Sequence, residues 1–138
     1  MKHHIKPLFT AIGLVLLLNL TQPLQAASLI TNPVVLVKPM ALDFGAVKPK
    51  STVTNTFLVE NAGGGKLVGK ATVPAPFKII SGESYSLNEN AAQVLTITYT
   101  PGRNAVDTQT VTFTGGGGAK AVVTGKLAGA RPPSQRSQ

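Results

Sequence analysis

The feature that most limits what this chain can fold into is a two-residue period with threonine on one phase. Between residues 33 and 127 no stretch keeps apolar side chains at the three-and-four spacing an amphipathic helix requires. In 51–60, Val53, Asn55, Phe57 and Val59 take one face, while Thr52, Thr54, Thr56 and Leu58 take the other. Leu67, Gly69, Ala71 and Val73 alternate with Val68, Lys70 and Thr72. Leu95, Ile97 and Tyr99 alternate with Thr96, Thr98 and Thr100, and Val111 and Phe113 with Thr110, Thr112 and Thr114. Val123, Gly125 and Leu127 close the series. Successive side chains of a strand point to opposite faces, so each run reads as a strand with one buried and one wet face.

Turn-forming residues fall between these runs. Asn61 to Gly65, Pro74 to Pro76, Ser81 to Glu83, Asn88 to Asn90, Pro101-Gly102 and the four glycines 115–118 all interrupt the alternation. No proline lies inside an expected strand, where it would break the ladder. Short strands at regular spacing with such punctuation indicate an all-β sandwich or barrel, with antiparallel sheets wet on their threonine faces. Phe57, Tyr99 and Phe113 fall on the apolar phase. Phe44 and Phe77 lie in short segments expected at sheet edges, and Tyr85 in a loop. The core therefore claims nearly all the aromatic area.

The ends read differently. Lys2 and Lys6 precede an uncharged stretch, and Pro23 and Ala26 follow its apolar centre. This is the pattern of a secretory signal peptide over residues 1–26, with cleavage expected after Ala26 and a cut after Ser28 as the alternative. The centre, Leu8 to Leu20, is shorter than the roughly 20 residues of a spanning helix, so a membrane-spanning mature chain is not expected. Residues 27–38 read as an N-terminal extension ending in a first edge strand, and 39–129 as the single domain. Residues 130–138, with Arg131, Arg136 and paired prolines, read as a disordered basic tail. The expected location is exported, in a periplasm or outside the cell.

Composition narrows the chemistry. The chain has no cysteine, and His3 and His4 lie in the expected leader. The remainder lacks the commonest general base, the commonest metal ligand and the best nucleophile, so no enzyme, no metal and no cofactor is expected. Gly63 to Lys66 fails as a phosphate loop: Leu67 stands where Ser or Thr is needed and no helix follows. The five acids, Asp43, Glu60, Glu83, Glu89 and Asp107, are not spaced as ligands of one cation and read as solvated charges at turns and strand ends. Asp43, between two apolar residues, fits that reading least well.

The formal net charge of the full chain is +8. Lys38, Lys48, Lys50, Lys66, Lys70, Lys78, Arg103, Lys120 and Lys126 are scattered along the domain, where they keep sheet edges from aggregating and favour acidic partners. Nucleic acid is not expected, because its readers interleave bases with exposed aromatics, and here these belong to the core.

Five motifs stand in order: Leu42, Phe44, Gly45 and Val47 as Leu-x-Phe-Gly-x-Val; Phe57 to Gly63 with Asn61-Ala-Gly; Pro76-Phe77; Leu95 to Pro101 with Tyr99-Thr-Pro; and Val123-Thr-Gly125. This order resembles the bacterial exported immunoglobulin-like domains called choice-of-anchor D, relatives of the ASPM/Hydin-type and major-sperm-protein-like sandwiches. The resemblance runs from about Pro39 to Gly129. It implies a single immunoglobulin-like antiparallel β-sandwich of about seven strands, an interaction role, and no substrate. Asn61 and Gly63 are expected in a turn with positive φ, Gly45 at a bend, and Pro101 as a strand stop.

The function expected is a non-catalytic envelope module that contacts another envelope protein through a strand edge or loops. A binder of anionic envelope polymer, polysaccharide or lipid headgroup, is the alternative. The contact residues expected are Val35 and Val37 on the first strand, Lys48 and Lys50 beside Pro49, Lys66 in the loop 61–66, and Lys120 beside the loop 115–119.

Overall fold

The computed structural model describes residues 32–130. The expected signal peptide, its cleavage site and the basic tail after Ala130 lie outside these residues. Nine strands occur in chain order: β1 (Val35–Lys38), β2 (Ala41–Val47), β3 (Val53–Asn61), β4 (Leu67–Thr72), β5 (Phe77–Ser81), β6 (Ser84–Leu87), β7 (Ala92–Tyr99), β8 (Val106–Phe113) and β9 (Ala119–Leu127). They form two sheets, ordered β1-β3-β7-β5 and β2-β9-β8-β4-β6. Their facing sides enclose one apolar core, and there is no helix among the described residues.

The count exceeds seven because two strand runs, each broken by a short interruption, are divided between the sheets. The first strand run breaks at Pro39, which has no N–H for the ladder. Before it, β1 is antiparallel to β3; after it, β2 joins the other sheet beside β9. Because β2 continues in the direction of β1, its pairing with β9 is parallel, a departure from the expected all-antiparallel sheets. The second such break is at Gly82-Glu83, between β5 and β6.

Phase predicted burial over most of the strands; Val53, on the expected inward phase of β3, is exposed at the strand's start. Phe57, Val59, Leu95, Ile97, Tyr99, Val111, Phe113 and Val123 are all buried, whereas Leu58 and Val68, on the threonine phase, are exposed. Phe57 meets Phe113 edge-on at 5.8 Å, and Tyr99 stacks on Phe77 at 4.8 Å with Phe44 at 5.8 Å from Tyr99. Gly125 faces this second cluster: a Cβ there would lie 2.3 Å from Tyr99 Cε1, so the ring occupies the space a side chain would need.

Three expectations are corrected. Tyr85 is not in a loop but on β6, with its ring buried; the strand is four residues long and flanked by turn residues, which masked its alternation. Asn61 and Gly63 are not at positive φ. Asn61 instead ends β3 fully buried, and Gly63 is small because its Cα lies against the backbone of Asn32 to Val34, where a Cβ would come within 2.2 Å of the Asn32 carbonyl oxygen. Asp107 is not a solvated charge but an inward residue of β8, 5 % exposed.

Candidate interaction surface

Of the four edge strands, β1, β5, β2 and β6, β1 carries two of the expected contact residues and β6 borders a groove, and the ladders decide which groups each offers. At β1, the Ala62 N–H donates to the Val34 carbonyl at 2.9 Å, so alternate residues from Val34 bond to β3. Val35 and Val37 direct their main-chain groups the other way, to the free edge. The Gly116 carbonyl accepts the Val35 N–H at 3.2 Å and covers the first part of that edge. The Val35 and Val37 side chains are core residues, 7 % and 4 % exposed, and cannot make side-chain contacts with a partner. Their inward phase is the reason: the outward side chains are Val34 and Leu36.

Asn61 holds this region together. Its Oδ1 accepts from the Val34 N–H at 3.2 Å and the Gly63 N–H at 3.1 Å. Its Nδ2 donates to the Gly65 carbonyl at 3.0 Å and the Leu87 carbonyl at 3.3 Å. One amide thereby satisfies both lone pairs and both protons, and ties β1, the loop 62–66 and β6 into one unit. The residues gave only a turn signal here; a polar side chain on the buried phase of β3 was the overlooked clue.

The second edge is β6. The Ala71 N–H donates to the Glu83 carbonyl at 2.8 Å, so Tyr85 and Leu87 also bond to β4, while Ser84 and Ser86 point their main-chain groups outward. Gln93 Nε2 donates to the Ser84 carbonyl at 3.1 Å. The Ser84 N–H and both main-chain groups of Ser86 face the free side. Beside them lies an open groove of about 720 Å³, lined by Val68, Lys70, Ser84, Tyr85, Ser86 and Gln93 among others. The Tyr85 hydroxyl donates to the Thr114 carbonyl. Burial pushes the phenol pKa up, and the Thr114 hydrogen bonds oppose this. No pattern in the sequence marks this groove, because it arises where β4 leaves β8 for β6.

The expected cations do not form one site. Lys48 and Lys50 lie on the β2–β3 turn at one end of the sandwich. Lys66 lies at the opposite end, after β3, and Lys120 lies near that end on the outer face of β9. Ser51 N–H donates to the Lys48 carbonyl at 3.1 Å, and Lys50 has a φ of 66°. A β-turn with Pro second and positive φ third favours glycine or asparagine at the third position. Lysine there costs roughly 1 kcal/mol or more. The ion pair of Lys38 Nζ with Glu60 Oε2, at 3.2 Å, is exposed and contributes little.

At the Lys48 end, the Tyr99 hydroxyl donates to Asp107 Oδ2 at 2.9 Å, and Asn104 Nδ2 donates to Asp107 Oδ1 at 3.0 Å. Burial, then the hydrogen bond to Asp107 and its negative charge, push the Tyr99 pKa up to about 12. The pair is structural: it sits behind the aromatic cluster and faces no cavity described above.

Similar folds occur among solved structures. An ASH / PapD-like domain of human CEP192 matches with a TM-score of 0.56 at 17% identity, covering 91% of this chain and 100% of that one. The fold is a PapD-like, immunoglobulin-like sandwich. A protein of unknown function from Porphyromonas gingivalis W83 matches with a TM-score of 0.62 at 15% identity, over 76% of this chain and 51% of that one. The E. coli chaperone DraB matches with a TM-score of 0.56 at 14% identity, over 71% of this chain and 57% of that one. The chain thus spans little more than half the length of the last two. No protein-family model and no curated protein matches the sequence.

Proposed function

We propose that the protein is a non-catalytic, exported module of the choice-of-anchor D type that binds another protein of the cell envelope by strand addition. The observation that carries this reading is the β6 edge. Main-chain donors at Ser84 and Ser86 and the Ser86 carbonyl point away from β4, beside a groove of about 720 Å³. An added strand draws affinity from such main-chain groups and specificity from alternate side chains seated in a neighbouring pocket. Exposed Val68 and the Lys70, Ser84 and Ser86 side chains suit a segment with mixed apolar and acidic residues. The β1 edge serves this role less well, because Gly116 covers part of it. The PapD-like fold, which the chaperone DraB shares, is compatible with a protein partner.

The test is photo-crosslinking in intact cells from a reactive residue placed at Ser86, with Val122 on the opposite part of the same sheet as the reference. One stoichiometric protein adduct from position 86, absent from position 122 and abolished by Ser86→Pro, is expected. Equal crosslinking from both positions, or a Ser86→Pro variant that binds normally and melts normally, overturns the strand-addition reading.

A further inference from the structure

The Lys48 end of the sandwich carries a feature that strand addition at β6 does not use. Three segments meet there. The Ala128 N–H donates to the Val47 carbonyl at 2.8 Å, and the Leu127 N–H to the Ala105 carbonyl at 3.0 Å. Thr52 and Thr100 share a hydroxyl hydrogen bond of 2.7 Å. These contacts bind the β2–β3 turn, the β7–β8 loop and the end of β9 into one face. Each contributes cations: Lys48 and Lys50 from the turn, Arg103 from the loop, and Lys126 from β9, where it stands between Ala46 and Val106.

The acids are elsewhere or engaged. Asp107, at the start of β8, is turned inward, with both oxygens taken by Tyr99 and Asn104. Asp43 lies farther along β2, opposite Thr124, and its Oδ1 accepts the Gly45 N–H at 2.8 Å. Glu60 and Glu89 belong to the other end, and Glu83 pairs beside Ala71 in the other half. Lys50 also occupies a left-handed turn position that glycine would fill without strain. Strain retained at an exposed charge points to a use for that charge.

We propose that this end face binds a linear polyanion bearing phosphate groups, independently of the β6 edge. Cations spread over three rigidly joined segments match a ligand with repeating charge better than a single compact anion, and like-signed faces concentrate such ligands. A lipid surface is the less suited source. Among the described residues the exposed apolar side chains at this end are the small Val53 and Val106, the latter beside Lys126, and no aromatic is exposed here to enter a headgroup layer.

The experiment titrates the purified protein with long-chain inorganic polyphosphate over a range of salt, and separately with vesicles of phosphatidylcholine and phosphatidylglycerol. Two variants of equal net charge are compared: K48Q/K50Q/R103Q/K126Q on the face, and K38Q/K66Q/K70Q/K120Q away from it. Binding to polyphosphate should weaken with salt. The first variant should lower the slope of log affinity against log salt by roughly one per cation removed, while the second changes it little. Lys50→Gly should weaken binding without lowering the melting temperature, which separates the charge from the fold. Equal weakening in both quadruple variants, absence of binding at low salt, or binding to vesicles but not to polyphosphate overturns the proposal.

Discussion

Tyr99→Phe removes one hydroxyl and leaves the ring in place, so it isolates the contact that buries Asp107. Tyr99 is 0% exposed and its hydroxyl donates to Asp107 Oδ2 at 2.9 Å. Phenylalanine fills the same space but leaves a carboxylate oxygen, in a residue only 5% exposed, without that donor. A buried hydrogen bond to a charged group contributes about 1.5–3 kcal/mol, and that is the expected loss in urea denaturation at neutral pH. The wild type should show a second signature. The Tyr99 pKa is raised from 10.0 to about 12 in the folded state. A raised pKa means the folded state holds the proton more tightly. The stabilisation is therefore full below pH 10 and is lost as pH rises through about 12. In that window, stability should fall by about 1.4 kcal/mol per pH unit from this group. Tyr99→Phe should flatten this fall, leaving the smaller contribution of Tyr85, whose pKa is raised in the same direction. A loss below about 0.5 kcal/mol at neutral pH, with an unchanged alkaline limb, would refute the account of Asp107 as a carboxylate held by Tyr99.

Three further outcomes are expected. Phe57→Ala, at a site 1% exposed and edge-on to Phe113, should cost about 3–5 kcal/mol by chemical denaturation; an unchanged melting temperature would show the strand phase to be wrong. Asn61→Ala strands two carbonyls and two N–H groups in the β1–β6 region and should cost more than about 2 kcal/mol, with faster amide exchange at Val34 and Gly63. Gly125→Ala drives a methyl into Tyr99 and should cost about 1–3 kcal/mol, a loss that the double variant with Tyr99→Ala should partly recover.

Strand phase was readable because it depends only on which residues exchange water for the core. Thr, Val, Ile, Leu and aromatic side chains at period two leave one arrangement that buries the apolar set, and β3 from Phe57 on, β4, β7 from Leu95 on and the second half of β8 follow it. The first half of β8 was hidden, because its inward positions are Asp107 and Gln109. Polar residues there break the alternation, and they are tolerable only where partners such as Tyr99 and Asn104 arrive from elsewhere in the chain. β6 was hidden by brevity.

The chain alone thus determined the absence of helix among the described residues, the two-sided strands and the aromatic core, because a local period decides which face leaves water. Only the tertiary structure decided which backbone groups remain open at β1 and β6, where Asn61 spends its hydrogen bonds, and that Lys48, Lys50, Arg103 and Lys126 share one face while Lys66 and Lys120 lie elsewhere. Those facts depend on pairing between segments far apart in sequence, and on the breaks at Pro39 and at Gly82-Glu83 that divide two strand runs between the sheets.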